Sequence, residues 1–425
     1  MKIDSNQKNT APNHGDWLKL LMFVYNNKQS SFYRNIWNDA GFNPEKDFSN
    51  LDDITKIPLL TKQQLLEAKL SELCFVPKTE VTALTTTSGT TSKKQLVTYI
   101  TPSQFTKSAV APEQERFGLG MLLFNPIRAG ALTYLYHERK QPFVLGDIHN
   151  LPASCSIAAQ AGVSTITTTP TLAIILKKYI DQHPALQKNL KYLRLGGEVI
   201  SPEKKHFIQE LYPDIEIFIV YASSEVGRTA SQCSHLSKQT DEVLLHPNYE
   251  SFHFEMIDNE LVITDFSNLA TPMIRYRTGD MVSFIEKECA CSKPGPLLLF
   301  KGRVNHEVVR AGGFEIRRET LEKPLLQLHH IVTTNFNTLV TETYKNNKPF
   351  IDLKIELELQ KDSLETEDMR TFIMQNLVEN MRLSPTLSLQ QAQATGFFGE
   401  IEIDFITFPV SAKAIQKITL EQQYD

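Results

Sequence analysis

Apolar residues near the start of the chain recur at helical spacing. They predict amphipathic helices over 17–25 and 31–40, with Gly41 placed to end the second. Thr61 is a suitable N-cap for a short helix over 62–68. We expect these helices, and the Pro-Leu-Leu-Thr-Lys step that precedes the third, to be scaffold.

The middle of the chain alternates apolar strands with helical stretches. Two strands are predicted at 192–195 and 215–220, and they end next to Gly196 and Tyr221. Such alternation is typical of an α/β domain with layered, mostly parallel sheets. Because ligands gather at the carboxyl ends of parallel strands, both strands should deliver their following residues to one edge.

The pattern changes after Arg303. Apolar and charged residues alternate with period two over 351–359 and again over 401–405, which predicts half-buried strands. Between them, 367–383 carries apolar residues at helical spacing. Strand, helix and strand indicate a small α+β domain at the end of the chain.

Length and composition fit this division. A chain of 425 residues is too long for one ordinary core, and we expect domains at 1–303 and 304–425. The hydrophobic content of 41% and charged content of 22% are typical of soluble globular proteins, and a net charge of −5 argues against nucleic acid as a partner.

The apolar stretch 20–25 is too short to span a membrane, and 1–14 lacks a signal-peptide core. A cytoplasmic protein is expected, whose five cysteines are thiols or metal ligands.

The segment 85–94 is unusually rich in hydroxyl groups. Seven of its ten residues are Ser or Thr, and Lys93 and Lys94 close it. Hydroxyl and backbone N–H groups next to cations suit a phosphate chain. It is not a Walker A loop, because the second glycine is missing and the lysines lead into a predicted strand at 96–100. A polar surface loop between strands is the alternative.

Three later motifs follow this loop in a characteristic order. With the loop, the four segments are Thr87-Ser88-Gly89-Thr90-Thr91, Tyr221-Ala222-Ser223-Ser224-Glu225, Tyr276-Arg277-Thr278-Gly279-Asp280 and Lys301-Gly302-Arg303. Together they resemble the adenylate-forming enzymes, and most of all the phenylacetate–CoA ligase branch, from about residue 32 to the C-terminus.

The resemblance implies a fold and a reaction. The fold is α/β, with a large N-terminal adenylate-forming domain of layered β-sheets and helices and a small mobile α+β C-terminal domain. The reaction is ATP-dependent activation of a small carboxylic acid, aryl or acyl, to an acyl-adenylate with release of pyrophosphate. The acyl group then passes to the thiol of CoA.

The resemblance also implies roles for the nucleotide-binding residues. The phosphate loop would bind the β- and γ-phosphates of ATP. The backbone of the Gly196 step, the segment Gly196-Gly197-Glu198, would lie close to the adenine, because glycine allows close approach. These residues are Ser88, Gly89, Thr90, Thr91 and Lys93 in the loop, Gly196, Gly197 and Glu198 in the step, and Tyr221, Ala222, Ser223 and Ser224 beside the nucleotide.

Four further side chains, all charged, have implied roles at the metal ion, the ribose or the phosphates. By the same resemblance Glu225 would hold Mg²⁺, which prefers carboxylate and phosphate oxygens. Asp280 would accept hydrogen bonds from both ribose hydroxyls, and Arg303 would assist at the ribose and phosphates. Lys413 would reach the α-phosphate, with Lys417 as the alternative. Taken singly, each of these residues also fits an ordinary surface role.

Several residues depart from the family pattern. Ser92 stands where a glycine is usual, and the loop that carries Lys413 is one residue shorter, with Ala412 in place of glycine. Asn305 lies where an acidic hinge is usual, and asparagine tolerates unusual dihedrals. These departures leave open a nucleotide-binding protein without turnover.

A separate cluster has the spacing of a metal site. Cys289 and Cys291 could bind one Zn²⁺ together with Cys233 and either His235 or His246. The resemblance favours His246 and a structural zinc. Three unlinked thiols are the alternative.

The acyl acceptor and the assembly also have alternatives. The phosphopantetheine of an acyl carrier protein could replace CoA, and a homodimer is a further alternative to a monomer. Asn125 stands roughly where amino-acid-activating relatives have an aspartate, so an ordinary α-amino acid is disfavoured as the substrate.

Overall fold

The protein is described here from a computed structural model, which carries no ligand. It describes residues 11–86, 96–102, 118–124, 141–198, 200, 202–239, 242–291, 293, 295–303, 308–345, 348–360, 363–384, 387–408 and 416–424. The described chain forms two compact units. Unit 1 comprises Met1–Thr169, Tyr179–Gly197 and Tyr212–Val304, and unit 2 comprises Pro170–Lys178, Glu198–Leu211 and Asn305–Asp425.

Twelve α-helices lie within the described residues. None of them is long and apolar enough to cross a membrane. They are α1 (His14–Tyr25), α2 (Phe32–Asp39), α3 (Pro44–Asp47), α4 (Lys62–Glu67), α5 (Leu151–Ala161), α6 (Pro170–Ile180), α7 (Pro184–Asn189), α8 (Pro202–Leu211), α9 (Ser234–Gln239), α10 (Arg318–Gln327), α11 (Glu367–Asn380) and α12 (Leu389–Ala394).

The strands of the described residues are numbered in the same way. Those of unit 1 are β1 (Ala83–Thr86), β2 (Val97–Ile100), β3 (Leu119–Leu122), β4 (Phe143–Leu145), β5 (Val163–Thr168), β6 (Tyr192–Gly196), β7 (Glu216–Ser223), β8 (Gly227–Ser231), β9 (Leu244–Pro247), β10 (Phe252–Ile257), β11 (Glu260–Asp265), β12 (Tyr276–Ile285) and β13 (Leu297–Arg303). Those of unit 2 are β14 (Val308–Ala311), β15 (Phe314–Arg317), β16 (Val332–Lys345), β17 (Lys348–Leu359), β18 (Arg382–Ser384), β19 (Leu387–Ser388), β20 (Phe398–Phe405) and β21 (Gln416–Tyr424).

Unit 1 is built on one large sheet. Its eleven strands follow the order β10-β11-β12-β13-β9-β8-β7-β6-β5-β3-β4. The segment from β4 to β7 is parallel, as the alternating pattern predicts. The segment from β7 to β10 is antiparallel, and the strand pattern did not reveal it. The α/β fold class is confirmed, with a mixed sheet in place of a mostly parallel one.

The predicted N-terminal helices form, although α1 begins at His14, three residues before its predicted start. Asn13 caps α1 and Thr61 caps α4, each in a capping box that satisfies the exposed N–H groups of the first turn. Gly41 follows α2 with φ +72°, a left-handed conformation that glycine adopts without strain. The buried aromatic residues Trp17, Tyr33 and Trp37 anchor α1 and α2 to unit 1.

Unit 2 has its own core. A four-stranded sheet of order β20-β17-β16-β21 carries it. Along β17 buried residues alternate with partly exposed ones, as predicted, so that Ile351, Leu353 and Ile355 contact the core. Ile373 and Leu377 of α11 cover the same face. The central strand β16, the edge strand β21 and α10 extend the predicted strand–helix–strand unit.

A fully buried ion pair lies within unit 2. Nζ of Lys204 in α8 lies 3.0 Å from Oε1 of Glu342 in β16, and both side chains are at most 1% exposed. The N–H of Gly312 and the hydroxyl of Tyr344 also donate to Glu342, at 2.8 and 2.9 Å. Burial raises the pKa of Glu342, but the charge of Lys204 and the hydrogen bonds from Gly312, Lys204 and Gln422 together outweigh it, and the pKa is lowered. Glu342 is therefore held as a carboxylate.

Candidate active site

Tyr221 and Asp280 meet at the carboxyl end of β7. The hydroxyl of Tyr221 donates a hydrogen bond to Oδ2 of Asp280. Asp280 is 6% exposed and lies in β12, where its backbone faces Arg303 of β13. Three of the motifs recognised in the sequence therefore converge, because β7, β12 and β13 belong to one sheet. The structure describes the backbone of Arg303 and not its side chain.

Glu225 follows β7 and faces two polar partners. Its side chain is almost buried, and Oε1 lies 3.4 Å from the hydroxyl of Tyr276 and 3.2 Å from Nζ of Lys62. Mg²⁺ prefers carboxylate oxygens, so the side chain of Glu225 has the chemistry of the expected metal ligand, and that role stays a prediction.

Lys62, which was expected to belong to the scaffold, contacts the candidate site residue Glu225. Leu60 forms a parallel bridge with Tyr276, in which its N–H donates to Arg275 and its carbonyl accepts from Arg277. Thr61 then starts α4, so Lys62 is its first residue. The signal was present in the family-like Pro-Leu-Leu-Thr-Lys step, but only the tertiary fold brings that step beside Glu225.

The hydroxyl-rich loop is flanked by a pair of antiparallel strands. β1 ends at Thr86 and β2 begins at Val97, and these two residues are partners in the ladder. Thr98 Oγ1 donates to the carbonyl of Ser224 at 3.1 Å, which ties β2 to the residue before Glu225. The strand that leaves the loop thus lies at the candidate site. The loop residues Ser88, Gly89, Thr90, Thr91, Ser92 and Lys93 lie outside the described residues.

The step after β6 requires its glycines. A Cβ at Gly196 would lie 2.6 Å from Cγ2 of Val220 in the neighbouring strand β7. Gly197 has φ +85°, which is a left-handed conformation. β6 and β7 run parallel with Gly196 opposite Val220, so the step lies at the same edge as Tyr221, as predicted.

The side chain of Glu198 is engaged within unit 2. Its Oε2 accepts from the N–H and the hydroxyl of Thr171, at 3.1 and 2.7 Å. The neighbouring motif residues Ala222, Ser223 and Ser224 are exposed or half-buried at the end of β7.

The side chains of three residues named in the sequence analysis are not described. Lys413 and Asn125 lie outside the described residues. Lys417 lies in β21, paired with Asn337, and its side chain is not described. Their roles stay predictions.

A metal-ligand cluster lies elsewhere in unit 1. The ligand atoms of Cys233, His246, Cys289 and Cys291 all lie within 4.8 Å of one another. Sγ of Cys233 lies 3.5 Å from Sγ of Cys289, and Sγ of Cys291 lies 3.2 Å from Nε2 of His246. Cys233 precedes α9, His246 lies in β9, and the other two lie between β12 and β13. His235 is exposed on α9 and is not part of the cluster.

Burial affects the ionisation of three groups in the cluster. Burial lowers the pKa of His246 to about 4, so its imidazole is neutral at pH 7. Burial raises the pKa of Cys233 to about 12. Burial opposes ionisation of Cys289 as well, but the hydrogen bonds from Cys291 and Cys233 and the charge of Lys293 together outweigh it, and the pKa of Cys289 is lowered. Three sulfur atoms and a neutral imidazole are the donor set of a closed tetrahedral zinc site.

Comparison with known proteins agrees with the motifs. No protein-family model matches the chain. A phenylacetate–coenzyme A ligase of Thermus thermophilus is 24% identical over 74% of this chain and 74% of its own length. A crystal structure of a 2-hydroxyisobutyryl-CoA ligase, in complex with 2-HIB-AMP and CoA, matches with a TM-score of 0.68 at 17% identity, over 96% of this chain and 89% of that one.

A third relative has the same fold. The o-succinylbenzoate–CoA synthetase of Bacillus subtilis matches with a TM-score of 0.53 at 14% identity, over 79% of this chain and 68% of that one. The resemblance stated from the motifs is confirmed. The chain has the fold of the adenylate-forming ligases, and in sequence it is similar to a phenylacetate–CoA ligase.

Proposed function

We propose that the protein is an AMP-forming acid–CoA ligase. In the first step a carboxylate oxygen of the substrate attacks the α-phosphorus of ATP. The bond to the β-phosphate oxygen breaks, and pyrophosphate leaves. In the second step the thiol sulfur of CoA attacks the acyl carbon, the thiol gives up its proton, and AMP leaves with the electron pair of the broken bond. A thioester, AMP and pyrophosphate are the products.

One observation carries this proposal. Tyr221, Glu225 and Asp280 come from two separate motifs, yet they meet at the carboxyl end of β7. Two anions must be joined in this reaction, so the site needs groups that orient the nucleotide and screen its charge. An orienting carboxylate beside a metal-binding carboxylate supplies both.

Each residue has a proposed part. Glu225 holds Mg²⁺, which screens the phosphates, while Lys62 neutralises the same carboxylate when no nucleotide is bound. Asp280 accepts from the ribose hydroxyls, and the Gly196 step passes the adenine. The phosphate loop with Lys93, the guanidinium of Arg303 and the ammonium of Lys413 bind the phosphates.

The cysteine cluster has a structural part. We propose that Cys233, His246, Cys289 and Cys291 bind one Zn²⁺. Four protein ligands leave no open coordination position, so the ion stabilises the fold and takes no part in acyl transfer. The ligands join the loop after β8, strand β9 and the turn between β12 and β13. Bound zinc would thereby stabilise the antiparallel half of the sheet.

The experiment is a screen for pyrophosphate release. The protein is incubated with ATP, Mg²⁺ and a panel of aryl and acyl carboxylic acids, and at least one acid should release pyrophosphate above the acid-free rate. Glu225→Gln should abolish that release, and Glu250→Gln, an exposed glutamate outside the site, should leave it unchanged. ATP binding with no release for any acid would replace the proposal with a nucleotide-binding protein.

A second measurement identifies the acceptor. The active acid is supplied with CoA or with a holo carrier protein, and the thioester is identified by mass spectrometry. We expect the CoA thioester. A thioester on the carrier protein alone would keep the adenylation step and overturn the assignment of CoA.

A further inference from the structure

The Tyr-Arg-Thr-Gly-Asp motif contains an irregularity of the sheet that places Asp280. Glu260 of β11 faces Met281 of β12, whereas Val262 faces Arg277. Four residue steps along β12 thus oppose two along β11, so β12 bulges between Arg277 and Met281. Bulges re-aim a side chain at the point where regular pairing is lost. This one contains Asp280.

The bulge removes a backbone hydrogen-bond partner, and one side chain compensates for that loss. Extra residues in a ladder lose their backbone partner, and a buried N–H without a partner is destabilising. Here the N–H of Gly279 donates to Oε1 of Glu260 at 2.7 Å. Gly279 has φ +75°, which directs this N–H away from the regular ladder. The carboxylate of Glu260 takes the place of the missing backbone acceptor.

The same carboxylate also binds the motif's arginine. Nε of Arg277 lies 2.6 Å from Oε2 of Glu260, and Glu260 is only 5% exposed. Its two oxygens therefore bind the residues at positions two and four of the motif, immediately before Asp280. Thr278 adds a hydrogen bond from its hydroxyl to the carbonyl of Leu261 at 2.7 Å.

Local sequence sets the position of Glu260 along its strand. Asp258 and Asn259 both have positive φ, 53° and 64°, and form the two-residue turn between β10 and β11. Such turns fix the register of a hairpin. Glu260 is the first residue after the turn. The turn therefore fixes the position from which its carboxylate contacts the bulge of β12.

We propose that Glu260 is a positioning residue for ribose recognition. It holds the bulge of β12 in the conformation that presents the Asp280 carboxylate to the two ribose hydroxyls. This inference rests on the proposed function, since it assumes that Asp280 binds the ribose. Glu260 itself does not touch the nucleotide.

The test measures how well the protein distinguishes ATP from 2′,3′-dideoxy-ATP. Calorimetric titration without any carboxylic acid gives a dissociation constant for each nucleotide, and the ratio of the two reports the ribose contact alone. For the parent protein we expect a ratio of roughly tenfold or more, the effect of losing a charge-assisted hydrogen bond. Glu260→Ala should reduce the ratio to below about threefold, because the bulge no longer directs Asp280.

Two variants separate positioning from stability. Glu260→Asp keeps a buried charge but withdraws it by one methylene from Gly279, and the ratio should fall as in Glu260→Ala. Glu255→Ala breaks a comparable ion pair. Glu255 lies in β10, two strands from the β12 residue Asp280, and it accepts hydrogen bonds from Arg275 at 2.8 and 3.0 Å. It should lower the melting temperature and keep the parent ratio. Loss of the ratio in Glu255→Ala as well would mean a general structural effect.

Failure of this inference differs from failure of the proposed function. If Asp280→Ala keeps the parent ratio, Asp280 does not bind the ribose, and both statements fall. If Asp280→Ala loses the ratio while Glu260→Ala and Glu260→Asp keep it, the ribose role of Asp280 stands and only Glu260 is overturned. Should Glu260→Ala fail to fold, Glu260→Asp decides alone.

Discussion

Tyr221 and Asp280 are 59 residues apart in sequence, and the tyrosine hydroxyl donates a hydrogen bond to the aspartate carboxylate. The contact joins the end of β7 to the bulge of β12. Asp280 is only 6% exposed, so the contact restrains a nearly buried side chain. An aspartate held in this way is oriented before the ligand arrives, so less conformational entropy is lost on binding.

We therefore expect Asp280→Ala to weaken ATP binding. The ribose hydroxyls lose a charged acceptor, and such hydrogen bonds contribute roughly 1.5–3 kcal/mol, or about 10- to 150-fold in affinity. Calorimetric titration with a non-hydrolysable ATP analogue measures the change. Glu286→Ala, an exposed carboxylate just after β12, is the matched control and should bind as the parent does. Equal affinities for parent and Asp280→Ala would remove Asp280 from the site.

The cysteine cluster should contain zinc. Elemental analysis of protein purified without added metal should find about one zinc per chain. Cys289→Ser should lose that zinc and lower the melting temperature, because the free energy of metal binding is part of the free energy of folding. Cys74→Ala changes a buried thiol outside the cluster and should keep the zinc. Metal-free parent protein, with an unchanged melting curve for Cys289→Ser, would refute the site.

The two half-reactions should respond differently to Lys413→Ala. A cation at the α-phosphate acts where negative charge develops, and losing such a contact typically costs on the order of 10²–10³ in rate. Acyl-adenylate formation should therefore fall by that factor, with little change in ATP affinity. Thioester formation from chemically prepared acyl-adenylate should change much less, since we expect the C-terminal domain to withdraw this lysine for that step.

Lys417→Ala is the comparison for that experiment. The two lysines are four residues apart, and only one can be the α-phosphate ligand. An asymmetry between the half-reactions in Lys417→Ala alone would transfer the role to Lys417. No asymmetry in either variant would mean that this segment is not catalytic.

The buried pair of Lys204 and Glu342 should dominate the stability of unit 2. Removing one member of a buried ion pair leaves the other charge uncompensated and costs roughly 3–5 kcal/mol. Lys204→Met should therefore lower the free energy of unfolding by about that amount in chemical denaturation. Lys354→Met breaks an exposed pair with Asp404, at 2.9 Å in the same unit, and should cost less than about 1 kcal/mol. Similar losses in both variants would contradict the stabilising role.

The elements that the sequence predicted best are those with local causes. The alternation along β17 and the cap at Thr61 appear in the structure as expected, because side-chain period and capping depend only on nearby residues. Each of the four metal-cluster residues was also identified, since Cys-x-Cys spacing is a strong local signal. The choice of His246 over His235 came from the resemblance, and the cluster of the described residues contains His246.

What the sequence by itself determined is thus the fold class, the motifs and their order. What only the tertiary structure decided is which distant residues meet. The antiparallel half of the sheet, the pairing of Lys62 with Glu225 and the support of Gly279 by Glu260 all depend on how separate strands and loops pair. Such contacts follow from sheet register and from a two-residue shift in one ladder, and neither leaves a periodic pattern in the residues themselves.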